Sequence, residues 1–283
     1  SEKYQEVKLI LCSFSKVNSR CKFSYMANQN LVKIGVIGVG HLGRFHVQQL
    51  STIEKVELIG IFDVNTEQCN KVGAEFSVPI FSNAEELLKA CDAISIVTPT
   101  TYHFETAIQA LNMDCHVFIE KPITETIEQA QQLLDNAESC NKIIQVGHIE
   151  RFNPAFLHVK NQNLTPKFVE IHRLAPFNSR GTDVPVILDL MIHDIDILLS
   201  MVNSPVKDIQ ASGVKVVSKT VDIANARITF ENGCVANVTA SRISQGPMRK
   251  MRIFQEATYT TVDFLKKSVE VYHVEDELPA DVD

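Results

Sequence analysis

The stretch VKIGVIGVGHLGRFH, residues 32 to 46, decides the fold of this chain. The run VKIGVI is typical of a buried strand, and three glycines then follow at the spacing Gly-x-Gly-x-x-Gly. Glycines at this spacing permit a tight turn and a close backbone approach, and the helix that begins there favours a pyrophosphate at its N-terminus. The pattern predicts a dinucleotide-binding loop. The predicted contact residues are Gly38, Gly40, His41, Leu42 and Gly43.

A second strand, VELIGIF, ends at Asp63, 20 residues after Gly43. A carboxylate at this place can accept hydrogen bonds from the ribose hydroxyls of a dinucleotide and would repel a 2′-phosphate. The residues that follow it, Val64 and Asn65, offer no arginine to accommodate such a phosphate. The sequence therefore predicts NAD rather than NADP as the cofactor.

Strands and helices alternate from residue 31 to about residue 150, with a short strand expected at 79–81 and further strands AISIVTP, HVFIEKP and KIIQVG. Such alternation predicts an α/β domain with a doubly wound parallel sheet, the Rossmann fold. Later segments, among them FVEIHRLA, ANARITFENG, CVANVTASRIS and RIFQEATYTTVDF, are typical of strands joined by turns. They predict an α+β domain on a large, mainly antiparallel sheet, with a helix over 189–202 packed on it.

Three segments follow from this pattern. The expected organisation is a poorly ordered extension over 1–30, a dinucleotide-binding domain over 31–150, and a substrate and oligomerisation domain over 151–283.

The composition limits the classes of partner that this protein can bind. The formal net charge is −7 and there is no long basic run, which argues against nucleic acid, and no apolar run is long enough to span a membrane. A small-molecule partner is therefore expected. Seven cysteines without a C-x-x-C pair are typical of the reduced thiols of a cytoplasmic protein.

Polar residues follow two strands of the predicted parallel sheet at their carboxyl ends, where open α/β folds bind ligands. We expect both groups to face the dinucleotide, although a histidine there can equally start a helix and a strand-end lysine is often solvated. The residues are Thr98, Pro99, Thr100, His103, Glu120 and Lys121.

The later stretch DLMIHDIDILL, residues 189 to 199, sets polar side chains in an apolar run. In a helix, Asp189 and His193 lie one turn apart on the same face. Burying such groups is costly unless they are paired or used. One alternative is that these groups are hydrogen-bonded at the edge of a core. Another is that His193, Asp194 and Asp196 hold a metal. Adjacent residues 193 and 194 point apart on a helix, so no metal is predicted.

The glycine loop, Glu120-Lys121-Pro122 and Asp189-x-x-x-His193 occur in an order and at distances that resemble the Gfo/Idh/MocA oxidoreductase family, over roughly residues 32 to 275. The resemblance implies an NAD-dependent dehydrogenase of a sugar or cyclitol, and an open sheet used in homo-oligomer contacts. It also implies that His193 takes the hydroxyl proton, that Lys121 contacts both cofactor and substrate and orients the oxygen, and that Asp189 tunes the pair.

Within the family, VGHIERFNPA and the region around residues 172 to 199 are similar to the branch that oxidises UDP-N-acetylglucosamine at C3. This implies a sugar-nucleotide substrate, with arginines suited to bidentate bonds with its diphosphate; a surface ion pair is the alternative for each. The residues expected near the substrate are His148, Arg151, Asn153, Arg173, Asp189 and His193.

Members of the family normally continue for several tens of residues beyond this point, so the chain is expected to be a fragment. Two rival functions stay open at this stage. One is a free-sugar or inositol dehydrogenase with the same residues, and the other is a non-catalytic dinucleotide-binding regulator.

Overall fold

The computed structural model describes residues 31–160, 162, 164–178 and 184–274 of the 283-residue chain. The extension predicted over 1–30 lies outside the described residues. The described chain forms two compact units, 31–147 and 148–274, which divide between Gly147 and His148, three residues before the predicted boundary. None of the helices in these ranges has the length and apolar character needed to cross a membrane.

The first unit is a parallel sheet flanked by helices. Its strands are β1 (Val32–Ile37), β2 (Val56–Phe62), β3 (Ala93–Ile96), β4 (His116–Ile119) and β5 (Ile144–Val146). Its helices are α1 (His41–Leu50), α2 (Thr66–Phe76), α3 (Ala84–Lys89), α4 (His103–Asn112) and α5 (Ile127–Ser139). All pairs are parallel in the order β2-β1-β3-β4-β5, which confirms the predicted doubly wound sheet and puts its switch point between β1 and β3.

The strands of this unit are almost wholly apolar because both faces of the sheet are covered. Neighbouring residues of β1 point to opposite faces: Val36 packs in one core cluster with Val47 and Ile61, and Ile37 packs in the other with Leu87. Fixing the sheet between two apolar layers leaves its carboxyl edge as the place for polar groups.

The strand predicted over 79–81 is absent as a strand, and only a parallel bridge between Ile61 and Ile80 is found there. The Pro79 oxygen accepts from Ile61 N at 2.9 Å, and Phe81 N donates to Ile61 O at 3.0 Å. Proline has no N–H with which to extend the ladder, so the pairing ends after these two bonds.

The second unit is a seven-stranded sheet with helices on one side. Its helices are α6 (Pro154–Lys160), a π-helical turn (Ile187–Met191) and α7 (Ile192–Met201), which continues that turn. Its strands are β6 (Phe168–Leu174), β7 (Val206–Val214), β8 (Ile223–Phe230), β9 (Val235–Ser241), β10 (Met248–Gln255), β11 (Thr258–Asp263) and β12 (Ser268–His273).

The strand order is β12-β11-β10-β6-β9-β8-β7, and every pair is antiparallel except β6 with β9. The predicted α+β unit on a mainly antiparallel sheet is confirmed. The segment RIFQEATYTTVDF proves to be parts of two strands, β10 and β11, and neither α6 nor β12 was predicted.

The two faces of this sheet differ. Along β6, Val169, Ile171 and Arg173 are buried, while Phe168, Glu170 and His172, which alternate with them, are partly exposed. The π-helical turn before α7 contacts β9, so the buried face is the one on the helix side. The opposite face carries polar and aromatic side chains.

Candidate functional site

The glycine loop of the first unit has a different steric reason for each glycine. Gly38 has a φ of +87°, and a Cβ there would lie 2.7 Å from the Val97 carbonyl. A Cβ on Gly43 would lie 1.9 Å from the Gly38 oxygen, whereas a Cβ on Gly40 would meet no atom within 4 Å. The loop is therefore closely packed on the protein side and open at Gly40, where α1 begins without a side-chain cap. His41 and Leu42 follow as exposed residues of its first turn.

Asp63 lies at the end of β2 and holds the glycine loop. Its Oδ2 accepts a hydrogen bond from Val39 N at 2.7 Å, and its Oδ1 accepts one from Asn65 N at 2.8 Å. A carboxylate has about four lone-pair sites, so two of these bonds leave capacity for the hydroxyls of a ribose. Gln68 Nε2 donates to Val39 O at 2.9 Å, so both the N–H and the carbonyl of Val39 are held by side chains.

The loop after β3 contains a buried hydroxyl. Thr98 Oγ1 is buried and finds no hydrogen-bond partner among the described residues. Pro99 is exposed, and Thr100 begins a short 3₁₀ turn that leads into α4. A buried hydroxyl of this kind costs free energy unless a ligand or a water satisfies it, which fits a polar ligand at this edge.

His103 does not have the position predicted for a cofactor contact. Its side chain is only 1% exposed, and both ring nitrogens face backbone oxygens at 2.9 Å, Nδ1 that of Pro122 and Nε2 that of Thr98. Burial lowers the pKa of His103, against the effect of these two carbonyls. The residue joins the loop after β3 to the loop after β4, so its contribution to a cofactor site is indirect.

The turn after β4 contains Glu120 and the half-buried Lys121, followed by a cis peptide bond to Pro122. Glu120 Oε1 lies 3.1 Å from His46 Nε2, and Lys121 N donates to Glu120 Oε2 at 3.2 Å. His46 is not among the site residues that the sequence predicts. The sequence feature that could have identified His46 is its position, three residues after Gly43 on the helix that follows the glycine loop.

In the second unit, Asp189 lies in the π-helical turn and His193 in the first turn of α7. Ile192 N donates to Ile187 O, five residues back, which is the bond that defines a π turn. Single π turns in α-helices are frequent at functional sites. Asp189 and His193 are both partly exposed, in contrast to Asp194, which is 1% exposed, and Asp196, which is 0% exposed.

Arg173 is not available for the predicted diphosphate contact. Its guanidinium is 1% exposed, and it donates to both carboxylate oxygens of Asp194, from Nε at 2.9 Å and from Nη2 at 2.8 Å. Glu150 lies 3.6 Å from the same Nη2. Burial raises the pKa of Asp194, and Arg173 opposes that shift. A diphosphate could reach these donors only by breaking a buried ion pair, so we assign Arg173 to the packing of α7 on β6.

Arg151 forms the matching pair with Asp196, which it also contacts through two nitrogens, with Nε to Oδ2 at 2.7 Å. His148 Nδ1 lies 3.9 Å from the same carboxylate, and burial raises the pKa of Asp196 while Arg151 opposes it. Asn153 donates to Phe264 O at 3.1 Å and accepts from Ala155 N at the start of α6. The predicted substrate contacts of His148, Arg151 and Asn153 therefore stay predictions, for side chains that also hold the second unit together.

The two arginine–aspartate pairs explain part of the polar character of the stretch DLMIHDIDILL. Asp194 and Asp196 each pair with an arginine from elsewhere in the unit, which leaves Asp189 and His193 as its candidates for chemistry. The metal alternative does not fit, because both buried carboxylates are engaged by arginine. Across the ranges that the structure covers, no cluster of His, Cys, Asp or Glu has the arrangement of a metal site.

The first unit thus offers an open glycine loop at a helix N-terminus, a ribose-competent carboxylate and a buried hydroxyl, which together fit a dinucleotide. The second unit offers a carboxylate and a histidine at a π turn, residue types suited to acid–base chemistry. A protein with these two units is a nicotinamide-dependent oxidoreductase. The chain belongs to the Gfo/Idh/MocA oxidoreductase family: the family's NAD-binding Rossmann fold matches residues 32–148, and its C-terminal domain matches residues 146–259.

Among the relatives, UDP-N-acetylglucosamine 3-dehydrogenase from Acidithiobacillus ferrooxidans is 42% identical over 243 residues, which are 86% of this chain and 77% of that enzyme. A solved structure of it matches with a TM-score of 0.83 over 86% of this chain and 80% of that chain. An NAD-binding protein from Listeria innocua matches with a TM-score of 0.78 at 26% identity, over 85% of this chain and 75% of that chain. The scyllo-inositol 2-dehydrogenase (NAD(+)) of Bacillus subtilis is 26% identical, over 76% of this chain and 69% of that enzyme.

Proposed function

We propose that this chain oxidises the C3 hydroxyl of UDP-N-acetylglucosamine, or of a closely related UDP-N-acetyl sugar, with NAD as the hydride acceptor. The observation that carries the proposal is the 42% identity to a UDP-N-acetylglucosamine 3-dehydrogenase over 86% of this chain. The inositol dehydrogenase above is 26% identical, so a free-sugar or inositol substrate is not favoured. A non-catalytic regulator is not favoured either, because the chain keeps Lys121, Asp189 and His193.

In the proposed reaction the secondary alcohol loses a hydride and a proton and becomes a ketone. Bound NAD supplies the hydride acceptor. His193 takes the hydroxyl proton, since imidazole is a base near neutral pH without large perturbation. Lys121 orients the hydroxyl oxygen through its ammonium group, and Asp189, one turn before His193, tunes and orients the imidazole.

The test compares His193→Ala and Lys121→Ala with the unmodified protein and with a matched control, His158→Ala, which removes an exposed histidine of α6. NADH formation from UDP-N-acetylglucosamine is followed with an aminotransferase added to remove the keto product. Both site variants should keep their melting transition and NAD binding and lose about 10²- to 10⁴-fold in turnover, while the control keeps its rate.

Two results would reject the proposal. If myo-inositol or free glucose reduces NAD efficiently and UDP-sugars do not, the substrate is wrong. If His193→Ala melts early while its folded fraction turns over normally, His193 is a structural residue and the assignment of the base is wrong.

We infer that the chain forms a homo-oligomer, a dimer or a tetramer, through the outer face of its seven-stranded sheet. Rings of Phe168, Phe254, Tyr259 and Tyr272 form a continuous row across this face, with neighbouring centroids 4.8 to 5.9 Å apart. Tyr272 is 56% exposed, and such an exposed aromatic row is typical of an interface.

Light scattering at micromolar concentration should give a dimer or larger for the unmodified chain and a smaller species for Tyr272→Glu. An unmodified chain that stays monomeric at every concentration would contradict the inference.

We also infer a cytoplasmic location. The five cysteines within the described ranges, Cys69, Cys91, Cys115, Cys140 and Cys234, are all free thiols, as expected in a reducing compartment. Fractionation of cells that carry a tagged protein tests this, and recovery from an oxidising compartment would contradict it.

A further inference from the structure

Three polar side chains form a hydrogen-bonded row beneath the turn that carries Lys121. Ser95 Oγ on β3 lies 2.9 Å from His46 Nδ1 on α1, and His46 Nε2 lies 3.1 Å from Glu120 Oε1 at the end of β4. Ser95 is 3% exposed, and the side chains of His46 and Glu120 are 19% and 18% exposed. An ionised carboxylate only accepts hydrogen bonds, so Nε2 carries the proton that points to Glu120. We call these residues the Ser95–His46–Glu120 row.

The Glu120 carboxylate lies close against the backbone at Gly147. A Cβ on Gly147 would lie 2.7 Å from Glu120 Oε1 and 2.9 Å from its Cδ, so a side chain at this position would displace the carboxylate from where it lies. Gly147 N donates to Ile119 O at 2.8 Å and holds that backbone beside β4. The His46 ring meets the Phe118 ring edge to face, with centroids 5.5 Å apart.

The row acts on the backbone of Lys121. Glu120 Oε2 accepts the Lys121 N–H at 3.2 Å. Proline has no N–H, so this is the single backbone donor of the Lys121–Pro122 pair. On the other flank, the Pro122 oxygen faces the buried ring of His103 at 2.9 Å. Two histidines therefore hold the backbone on either side of Lys121, His103 through the Pro122 oxygen and His46 through the Glu120 carboxylate.

We propose that His46 is a positioning residue of the dehydrogenase: by holding the Glu120 carboxylate, it fixes the backbone of Lys121 and so the place of the lysine ammonium. The inference rests on the proposed function, in which Lys121 orients the reacting hydroxyl. His46 needs no contact with substrate or cofactor for this role. Its loss reduces turnover because a reacting group displaced by about 1 Å can lose about 10²-fold in rate.

The experiment uses three variants of the full chain. His46→Leu replaces the imidazole with an apolar side chain of similar volume and removes both hydrogen bonds. His46→Gln introduces an amide that can donate a hydrogen bond to Glu120. His116→Gln is the matched control, because His116 accepts from Ile143 N at 3.0 Å at the opposite, amino end of β4. Melting temperature, the dissociation constant of NAD, kcat and KM are measured for each with the substrate that the unmodified protein oxidises.

We expect His46→Leu to lower kcat about 10- to 100-fold with NAD affinity within about threefold of the unmodified protein. If His46→Leu loses about 100-fold in kcat, the kcat of His46→Gln should be at least about tenfold higher than that of His46→Leu. His116→Gln should keep the kcat of the unmodified protein. Equal kcat values in the Leu and Gln variants, or a lower melting temperature with kcat unchanged, would overturn the proposal.

A second measurement needs no substrate, so it separates this inference from the proposed function. Amine-directed labelling of Lys121, quantified by mass spectrometry, should become faster in His46→Leu, return toward the normal rate in His46→Gln and stay normal in His116→Gln. A labelling rate that does not rise in His46→Leu would overturn the positioning role. Absence of turnover with UDP-N-acetylglucosamine in the unmodified protein would instead reject the proposed substrate alone.

Discussion

Two glycines of the loop after β1, Gly40 and Gly43, should respond differently to alanine. The substitution should lower the stability of the protein at Gly43 and weaken the binding of NAD at Gly40. In Gly43→Ala the new methyl would start 1.9 Å from the Gly38 oxygen, and it must move to at least 3.0 Å. Such overpacking costs about 1–3 kcal/mol. For a chain of this size each kcal/mol lowers the melting temperature by about 2–4 °C, so a fall of about 2–12 °C is expected.

Gly40→Ala should fold normally and bind NAD poorly. The methyl would meet no atom within 4 Å, and the φ of −62° at Gly40 is open to alanine. A small loss of capping and a small gain from reduced unfolded-state entropy offset each other, so the melting temperature should stay within about 2 °C. The methyl would occupy the open side of the loop, where a pyrophosphate approaches the N-terminus of α1. We expect NAD to bind at least about 30-fold more weakly, a loss of about 2 kcal/mol.

Calorimetric titration with NAD and thermal melting by circular dichroism measure both quantities for each variant. Gly246→Ala is the control, because a Cβ there also meets no atom within 4 Å and the residue lies in the second unit. It should change neither quantity. If Gly40→Ala binds NAD as tightly as the unmodified protein, or melts as low as Gly43→Ala, the assignment of the open side of the loop is refuted.

The remaining predictions concern Asp63, one buried ion pair and His103. NAD should bind several-fold tighter than NADP, as measured by titration with each dinucleotide. Asp63→Ala should reduce this difference in affinity because it removes the charge that repels a 2′-phosphate. Arg173→Met should lower the free energy of unfolding by about 3–5 kcal/mol in urea, because Asp194 then keeps a buried charge without its partner. Burial lowers the pKa of His103 from its ordinary 6.5, so the unfolded chain binds its proton more readily. Stability should therefore fall as the pH drops below 6.5, and His103→Gln should show a weaker fall over the same melts.

Each of these has a control and an opposite result. A preference for NADP in the unmodified protein would contradict the role of Asp63. The double variant Arg173→Met/Asp194→Leu should regain part of the lost stability, and a double variant less stable than the single one would show that the pair is not the cause. If His103→Gln follows the same pH profile as the unmodified protein, the acid sensitivity arises from another group.

The parts of the fold that the sequence predicts are those set by local pattern. The glycine spacing, the apolar strands and the alternation with helices give the doubly wound sheet, because each signal lies within about 30 residues. Pro79 shows where such a pattern misleads. An apolar run beside a proline resembled a strand, but the missing N–H limits it to one bridge.

The roles of charged residues were harder to predict because a partner distant in sequence decides them. Arg173 and Asp194 were both visible as unusual residues, yet nothing local indicates that they pair with each other. His46 and Glu120 stand 74 positions apart and meet only because α1 returns along the sheet. Chemistry-bearing residue types can thus be found in the sequence, and their division into catalytic and structural members requires the tertiary contacts.

The place of β6 in its sheet has a consequence for how the second unit folds as it is synthesised. It is the central strand, and its partners β9 and β10 are both made much later, so it leaves the ribosome with two open edges. Long-range strand pairing of this kind is slow and exposes apolar side chains in the meantime. α7 is complete before β7 to β12 exist, and it is the element that pairs Asp194 with Arg173 of β6. Both partners of the buried ion pair are therefore synthesised before β7 to β12, so the pair can hold β6 to its covering helix while the nascent chain still lacks the rest of the sheet.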